Sequence, residues 1–133
     1  MQPETDSNLV DRFNEWYLQI GQIYNKINHL TVAHDLTYDQ FLILREVKLN
    51  PNIEVTKLSE SFDLSGPAIS RKINVLFRKH LIVKNRSDEM DQRKVFISLN
   101  EQGLRKDHQL EVDVNIIIKQ YKDDTKAHHT PKN

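Results

Sequence analysis

No cysteine occurs among the 133 residues. Disulfides, thiolate nucleophiles and cysteine-based zinc sites are therefore excluded together. Glycine is almost as scarce, at three residues, and none of the three belongs to a phosphate-cradling loop. No Ser-His-Asp arrangement lies on suitable elements, so catalysis is not expected, and neither is a cofactor. Asp107, His108 and Glu111 fall within one helical turn, but spacings of i, i+1 and i+4 do not put all three on one face. A solvated helix surface accounts for them, and no metal site is expected. No apolar run approaches the ~20 residues of a membrane span. The start of the chain, with Glu4 and Asp6, lacks the basic and apolar segments of a signal peptide. These absences point to a cytoplasmic protein without a membrane partner.

Excess charge is also missing overall, with 19 Lys and Arg against 19 Asp and Glu. Its distribution is uneven. From Ser65 to Phe96 eight Lys and Arg face three acids, a net of +5, and the remainder carries −5. Basic character confined to one stretch is what phosphate contact needs, and an acidic remainder discourages DNA elsewhere. Within that stretch Ile69, Ile73, Leu76 and Phe77 recur at helical spacing and form one apolar face. Ser70, Arg71, Asn74 and Arg78 occupy the other face. Ser65 suits an N-cap and Pro67 a first turn. The helix would be about 20 Å long, enough to lie along a major groove. Arg can bind guanine bidentately and Asn can do the same for adenine. Taken alone, the segment reads more readily as a surface helix with solvated charges.

Its neighbours change the balance. Val55, Leu58 and Phe62 have the period of a short helix, with Lys57, Ser59, Glu60 and Ser61 outward, and residues 63–66 form a tight connection. A short helix, a turn and a basic second helix make a helix-turn-helix. Residues 81–86 and 94–99 are rich in β-branched or aromatic residues and read as strands, separated by a polar loop over 87–93. A hairpin behind a recognition helix is a wing, here ringed by Lys84, Arg86, Arg93 and Lys94.

The chain now resembles a known family, the MarR/SlyA winged helix-turn-helix regulators of bacteria. The resemblance lies on residues 36–41 (Leu-Thr-Tyr-Asp-Gln-Phe), Leu58-Ser59-Glu60, Ala68-Ile69-Ser70-Arg71, Asp91-Gln92-Arg93-Lys94 and 98–103 (Ser-Leu-Asn-Glu-Gln-Gly). Asn100 stands where the family usually has Thr, and either residue can cap the helix that follows. The resemblance extends from about Leu9 to Tyr121. It implies a mainly α fold with a small β-hairpin wing, in which N- and C-terminal dimerisation helices flank the winged unit. The boundaries are 6–34, 37–99 and 100–122, followed by a disordered tail over 123–133, all in a single domain. It also implies a homodimeric repressor on a near-palindromic double-stranded DNA operator.

The flanking segments read accordingly. Leu9, Phe13, Trp16, Tyr17, Ile20, Ile23, Tyr24, Ile27 and Leu30 mark a long helix from Asp6 to about Leu30. Its aromatic stripe exceeds what docking on a small domain requires, and by the resemblance its partner is the same helix of a second subunit. A connection follows over 31–36. Thr37 and Gln40 have capping-box spacing at the head of a helix from Tyr38 to about Leu49, with Phe41, Leu44 and Leu49 among its core positions. Pro51 ends that helix, and residues 53–55 could add a third strand. Leu104, Leu110, Val114, Ile117, Ile118 and Tyr121, widened by Val112 and Ile116, place a last helix from Asn100.

Ser70, Arg71 and Asn74 are the candidates for base edges, with Pro67 and Ala68 near thymine methyl groups. Ser65, Lys72, Arg78, Lys79 and Lys84 are the candidates for phosphate. By carry-over from the family, Arg93 enters the minor groove and Asp91 holds the wing in shape, beside Arg86 and Lys94. The resemblance further implies a small aromatic or phenolic effector, which Trp16, Tyr17, Tyr24, His34 and Tyr38 could surround. The alternative is a winged-helix module that binds protein without specific DNA binding, because fold alone does not settle function.

Overall fold

Side-chain caps set where the helices begin. The computed structural model describes residues 5–86 and 94–128. In chain order it contains α1 (Ser7–Ala33), α2 (Tyr38–Leu49), β1 (Ile53–Glu54), α3 (Val55–Ser61), α4 (Gly66–Arg78), β2 (Ile82–Arg86), β3 (Val95–Leu99) and α5 (Glu101–His128). Asp6 Oδ1 accepts the Leu9 amide at 3.0 Å. The expected capping box forms: Thr37 Oγ1 accepts the Gln40 amide at 3.2 Å and Gln40 Oε1 accepts the Thr37 amide at 3.0 Å. Ser65 Oγ accepts the Ala68 amide at 3.3 Å, with Pro67 in the first turn of α4. Asn100 Oδ1 accepts the Gly103 amide at 2.8 Å, while its Nδ2 donates to the His80 carbonyl at 2.8 Å. Each such cap removes an otherwise unpaired amide, an effect of about 1 kcal/mol.

The helix C-termini share one device that the scarcity of glycine conceals. α1, α3 and α4 each end in a left-handed residue followed by Leu: Asp35 (φ 65), Asp63 (φ 49) and His80 (φ 61). The amides of Leu36, Leu64 and Leu81 reach back to the carbonyls of Thr31, Ser59 and Leu76 at 3.0, 3.1 and 3.2 Å. Those of Asp35, Asp63 and His80 bond to Val32, Glu60 and Phe77. This double closure is the Schellman motif, in which glycine usually takes the left-handed position. Leu36 and Leu81 are buried, completing the apolar contact of the motif.

Three boundaries differ from the sequence reading. α1 continues through Thr31, Val32 and Ala33, because buried Thr31 stays in helical geometry by donating its hydroxyl to the Asn28 carbonyl at 3.1 Å. β1 is two residues long, since Val55 already starts α3. α5 runs to His128 rather than stopping at Lys122; neither Gly nor Pro interrupts the chain between Gly103 and Pro131.

The strands form an antiparallel sheet in the order β1-β3-β2, with Ile53 opposite Ile97 and Ile82 opposite Leu99. Central Ile97 is fully buried and shares one core with Leu44, Leu58, Ile69, Ile73, Leu76, Leu110 and Val114. Each such side chain contributes about 1.5–3 kcal/mol by leaving water. Two expected core residues lie outside it: Leu49 is 61% exposed and Phe77 46% exposed. Both sit at the margin of their helices' apolar face, where burial depends on a neighbour that periodicity does not reveal. In α1 only Ile27 and Thr31 are buried. Leu9, Phe13, Trp16, Tyr17, Ile20 and Tyr24 stand exposed along the N-terminal part of that helix.

α2 and α5 are joined by charge. Arg45 Nη1 donates to Asp107 Oδ2 and to Glu111 Oε2, both at 2.9 Å, and Nη2 donates to Glu111 Oε1 at 3.1 Å. Lys48 Nζ lies 3.2 Å from Asp107 Oδ2. Asp107 is fully buried. The Arg45 hydrogen bonds and charge hold the Glu111 carboxyl below its ordinary range, and those to Glu111 raise Arg45 in turn. The solvated surface expected for Asp107, His108 and Glu111 is therefore corrected at Asp107, which is buried against two cations from α2, whereas His108 is exposed and Glu111 meets the same cations at the surface.

Candidate nucleic-acid interface

α4 is held by one side and offered by the other. Ile69, Ile73 and Leu76 are buried, while Ser65, Pro67, Ser70, Arg71, Asn74 and Arg78 are exposed and Ala68 and Lys72 are half-buried. In front of α4 the turn is closed twice, by the Leu64 amide on the Ser59 carbonyl and by the Ser59 hydroxyl on the Leu64 carbonyl. Ser59 was expected to face outward. It is half-buried instead, because its hydroxyl satisfies a carbonyl of the turn.

The first wing strand lies against this helix. Lys84 Nζ donates to Asn74 Oδ1 at 2.6 Å and lies 4.6 Å from the Phe77 ring centroid. That contact gives exposed Phe77 a partner, and it is absent from any periodicity. A groove of about 340 Å³ opens between the elements, lined by residues that include Glu54, Gly66, Ser70, Asn74, Lys84, Arg86 and Lys94. Ser70 and Asn74 of the proposed base-reading set thus share one groove with three basic residues of the wing. Asp91 and Arg93 lie outside the described residues.

Two assignments change. Lys79 closes α4 and pairs with Asp35, Nζ to Oδ2 at 3.1 Å, and also donates to the Asp35 carbonyl. It therefore ties α4 to the loop after α1, and phosphate would have to compete with Asp35 for its ammonium. The five residues suggested for an effector do not surround one space. Tyr24 and Tyr38 meet edge to face, centroids 5.6 Å apart, and burial raises the Tyr38 hydroxyl, with Asp39 and Tyr24 adding to it. Trp16 packs on Phe13 instead, at 5.7 Å, and Tyr17 is exposed. His34 pairs with Asp113, Nε2 to Oδ2 at 3.3 Å, about 27 Å along α1 from Trp16 at 1.5 Å per residue.

A family model described as transcriptional regulator SarA/Rot matches residues 25–110, well over half of the chain and all of the winged unit. The chain belongs to the SarA/Rot family of transcriptional regulators. Among curated relatives, the HTH-type transcriptional regulator SarZ of Staphylococcus aureus is 28% identical over 88 residues, which is 66% of this chain and 59% of SarZ. The chain thus spans about three fifths of the length of the curated relatives it matches. Solved structures share the architecture. AbsC, a MarR family regulator from Streptomyces coelicolor, superposes with a TM-score of 0.79 at 16% identity, covering 94% of this chain and 84% of AbsC. A mutant MarR from E. coli complexed with operator DNA gives a TM-score of 0.76 at 15% identity, covering 92% and 87%. At such identities the likeness is one of fold, and the fold is the MarR-type winged helix expected from residues 36–103.

Proposed function

We propose that this SarA/Rot family chain is a sequence-specific, double-stranded DNA-binding transcriptional regulator that acts as a homodimer on a near-palindromic operator. The observation that carries the reading is the two-sided α4: Ile69, Ile73 and Leu76 anchor it, while Ser70, Arg71, Asn74 and Arg78 project beside the basic wing. Arg71 and Ser70 would meet base edges in the major groove, Lys72 and Arg78 would meet phosphates, and Arg93 of the wing would meet the adjacent minor groove. The exposed apolar side chains of α1, from Leu9 to Tyr24, with Val112 and Ile116 of α5, support a second copy as the partner. Two-fold pairing would set the recognition helices about 34 Å apart, one turn of DNA.

Titration of selected duplexes at a series of salt concentrations tests the reading. Affinity should fall linearly on a log-log plot, as counterion release requires. Replacing Arg71 by Ala should cost about 1–3 kcal/mol and relax preference at one base pair. Binding that ignores both salt and sequence, or its absence at low salt, would remove DNA as the ligand and favour a protein partner.

A further inference from the structure

The contact between Lys84 and Asn74 restricts what the recognition helix can read. We propose that Lys84 is a positioning residue for base selection: bound to the Asn74 side-chain amide oxygen, it makes this part of α4 a surface of donors only, selecting guanine or thymine over adenine. The inference rests on α4 being the major-groove helix.

Adenine is read by an amide that does two things at once. Its oxygen accepts from the N6 amino group and its nitrogen donates to N7. An ammonium has three donors and no acceptor, so at 2.6 Å from Asn74 it must face Oδ1. The amide nitrogen is then the end left for a base. Oδ1 keeps a second lone pair, but an adenine amino group placed there would stand against a cation, donor facing donor. Lys84 is also held from another side. Its ammonium lies 4.6 Å from the Phe77 centroid, and the ring face attracts a cation. Asn74 and Phe77 are three residues apart and so neighbours on the helix surface. Together they keep the Lys84 ammonium on α4. Arg71, three residues before Asn74, contributes guanidinium donors and again no acceptor. Guanine offers two acceptors, N7 and O6, to such a surface and thymine offers O4, whereas adenine sets its N6 amino group beside its single acceptor N7 and cytosine offers only an amino group.

The experiment selects duplexes from a random pool with wild type, Lys84→Met and Asn74→Ala. Competitor duplexes altered one base pair at a time then give relative affinities. The pair facing Asn74 is the one whose preference disappears in Asn74→Ala. Methionine keeps an apolar stem beside Phe77 and removes the ammonium. Wild type should favour guanine or thymine at that pair by about tenfold over adenine. Lys84→Met should lose or reverse the preference there and keep it at every other position. In the Asn74→Ala background, Lys84→Met should leave base preference unchanged. If Lys84→Met weakens all duplexes equally and preserves the selected sequence, Lys84 is a phosphate contact and the inference is overturned, with DNA binding intact. If wild type selects no duplex, the DNA reading fails and the inference with it.

Discussion

Replacing His80 by Gly should stabilise this protein. His80 holds the left-handed position after α4 at φ 61, where an L side chain costs about 1–2 kcal/mol. Glycine removes that cost but loses about 0.5–1 kcal/mol more backbone entropy on folding. The net gain is about 0–1.5 kcal/mol. Nothing else need change. The His80 side chain is exposed, and its carbonyl can still accept Asn100 Nδ2. Asp63, at φ 49, is a residue type that visits the left-handed region more readily, so Asp63→Gly should gain less. Asp35→Gly should gain nothing, because it also removes the carboxylate paired with Lys79, a contact of about 0–1 kcal/mol. Urea unfolding at fixed protein concentration measures the order His80, Asp63, Asp35. Fixed concentration matters because association itself adds stability. A lower midpoint for His80→Gly, or a reversed order, would refute the argument that these three ends are Schellman closures made without glycine.

Gly103→Ala should do the opposite and lose about 1–3 kcal/mol by overpacking, since its Cβ would fall 2.1 Å from the Leu81 carbonyl oxygen and 3.2 Å from Leu99 Cβ. Gly21→Ala, with nothing within 4 Å of the new methyl, should gain about 1 kcal/mol of helix propensity in the same unfolding assay; a loss that varies with protein concentration would place Gly21 inside a subunit contact. Trp16, 54% exposed in the single chain, should be buried in the proposed homodimer, so wild type should sediment as a dimer and Trp16→Asp as a monomer at the same concentration. Arg45→Met should cost about 1–3 kcal/mol at neutral pH by leaving the buried Asp107 carboxylate one donor short. The Glu111 carboxyl is depressed by Arg45 in the folded state, so its contribution is present above the unfolded value of 4.5 and is lost as pH falls through the lower folded value. The difference in melting temperature between wild type and Arg45→Met should therefore narrow below that pH, and a constant difference would exclude Glu111 from the effect.

What could be read from the sequence was what depends on near neighbours. Thr37 and Gln40 announce a capping box because both bonds close within three residues, and Ser65 with Pro67 announces the start of α4 for the same reason. Ile69, Ile73 and Leu76 mark a buried face because three or four residues bring a helix back to one side. The helix-turn-helix and its wing strands follow from such local signals strung together. The misses are long-range or atypical. Asp107 read as solvated because nothing nearby in sequence shows that Arg45 and Lys48 arrive from α2. Phe77 reads as core because the cation that lies over its ring, Lys84, comes from β2, seven residues further along the chain, where no helical period points to it. The ends of α1 and α3 lack the glycine that usually signals closure. A usable signal was present nonetheless: Asp35-Leu36, Asp63-Leu64 and His80-Leu81 each put a small-polar or imidazole residue before Leu at the end of a helical pattern.

On the proposed reading, the polar ties beyond α4 have a common direction. Arg45 and Lys48 join α2 to Asp107 and Glu111 of α5. Lys79 joins the end of α4 to Asp35, His34 joins the end of α1 to Asp113, and Asn100 joins the start of α5 to His80. Three of these connect the winged unit to the long helices that would carry the dimer or to the loop after α1, and the His34–Asp113 pair ties those two helices to each other. A buried carboxylate such as Asp107 is a poor way to add stability, because desolvation consumes most of the Coulombic gain and an apolar pair of similar volume often serves as well. What it supplies is direction. Arg45 binds in a forked geometry that tolerates few orientations, whereas greasy side chains slide. Reading two half-sites about 34 Å apart demands that each α4 hold a fixed place relative to the subunit contact. On this reading the core, through Leu110 and Val114, holds α5 against the winged unit, and the charged ties narrow the angle at which it packs.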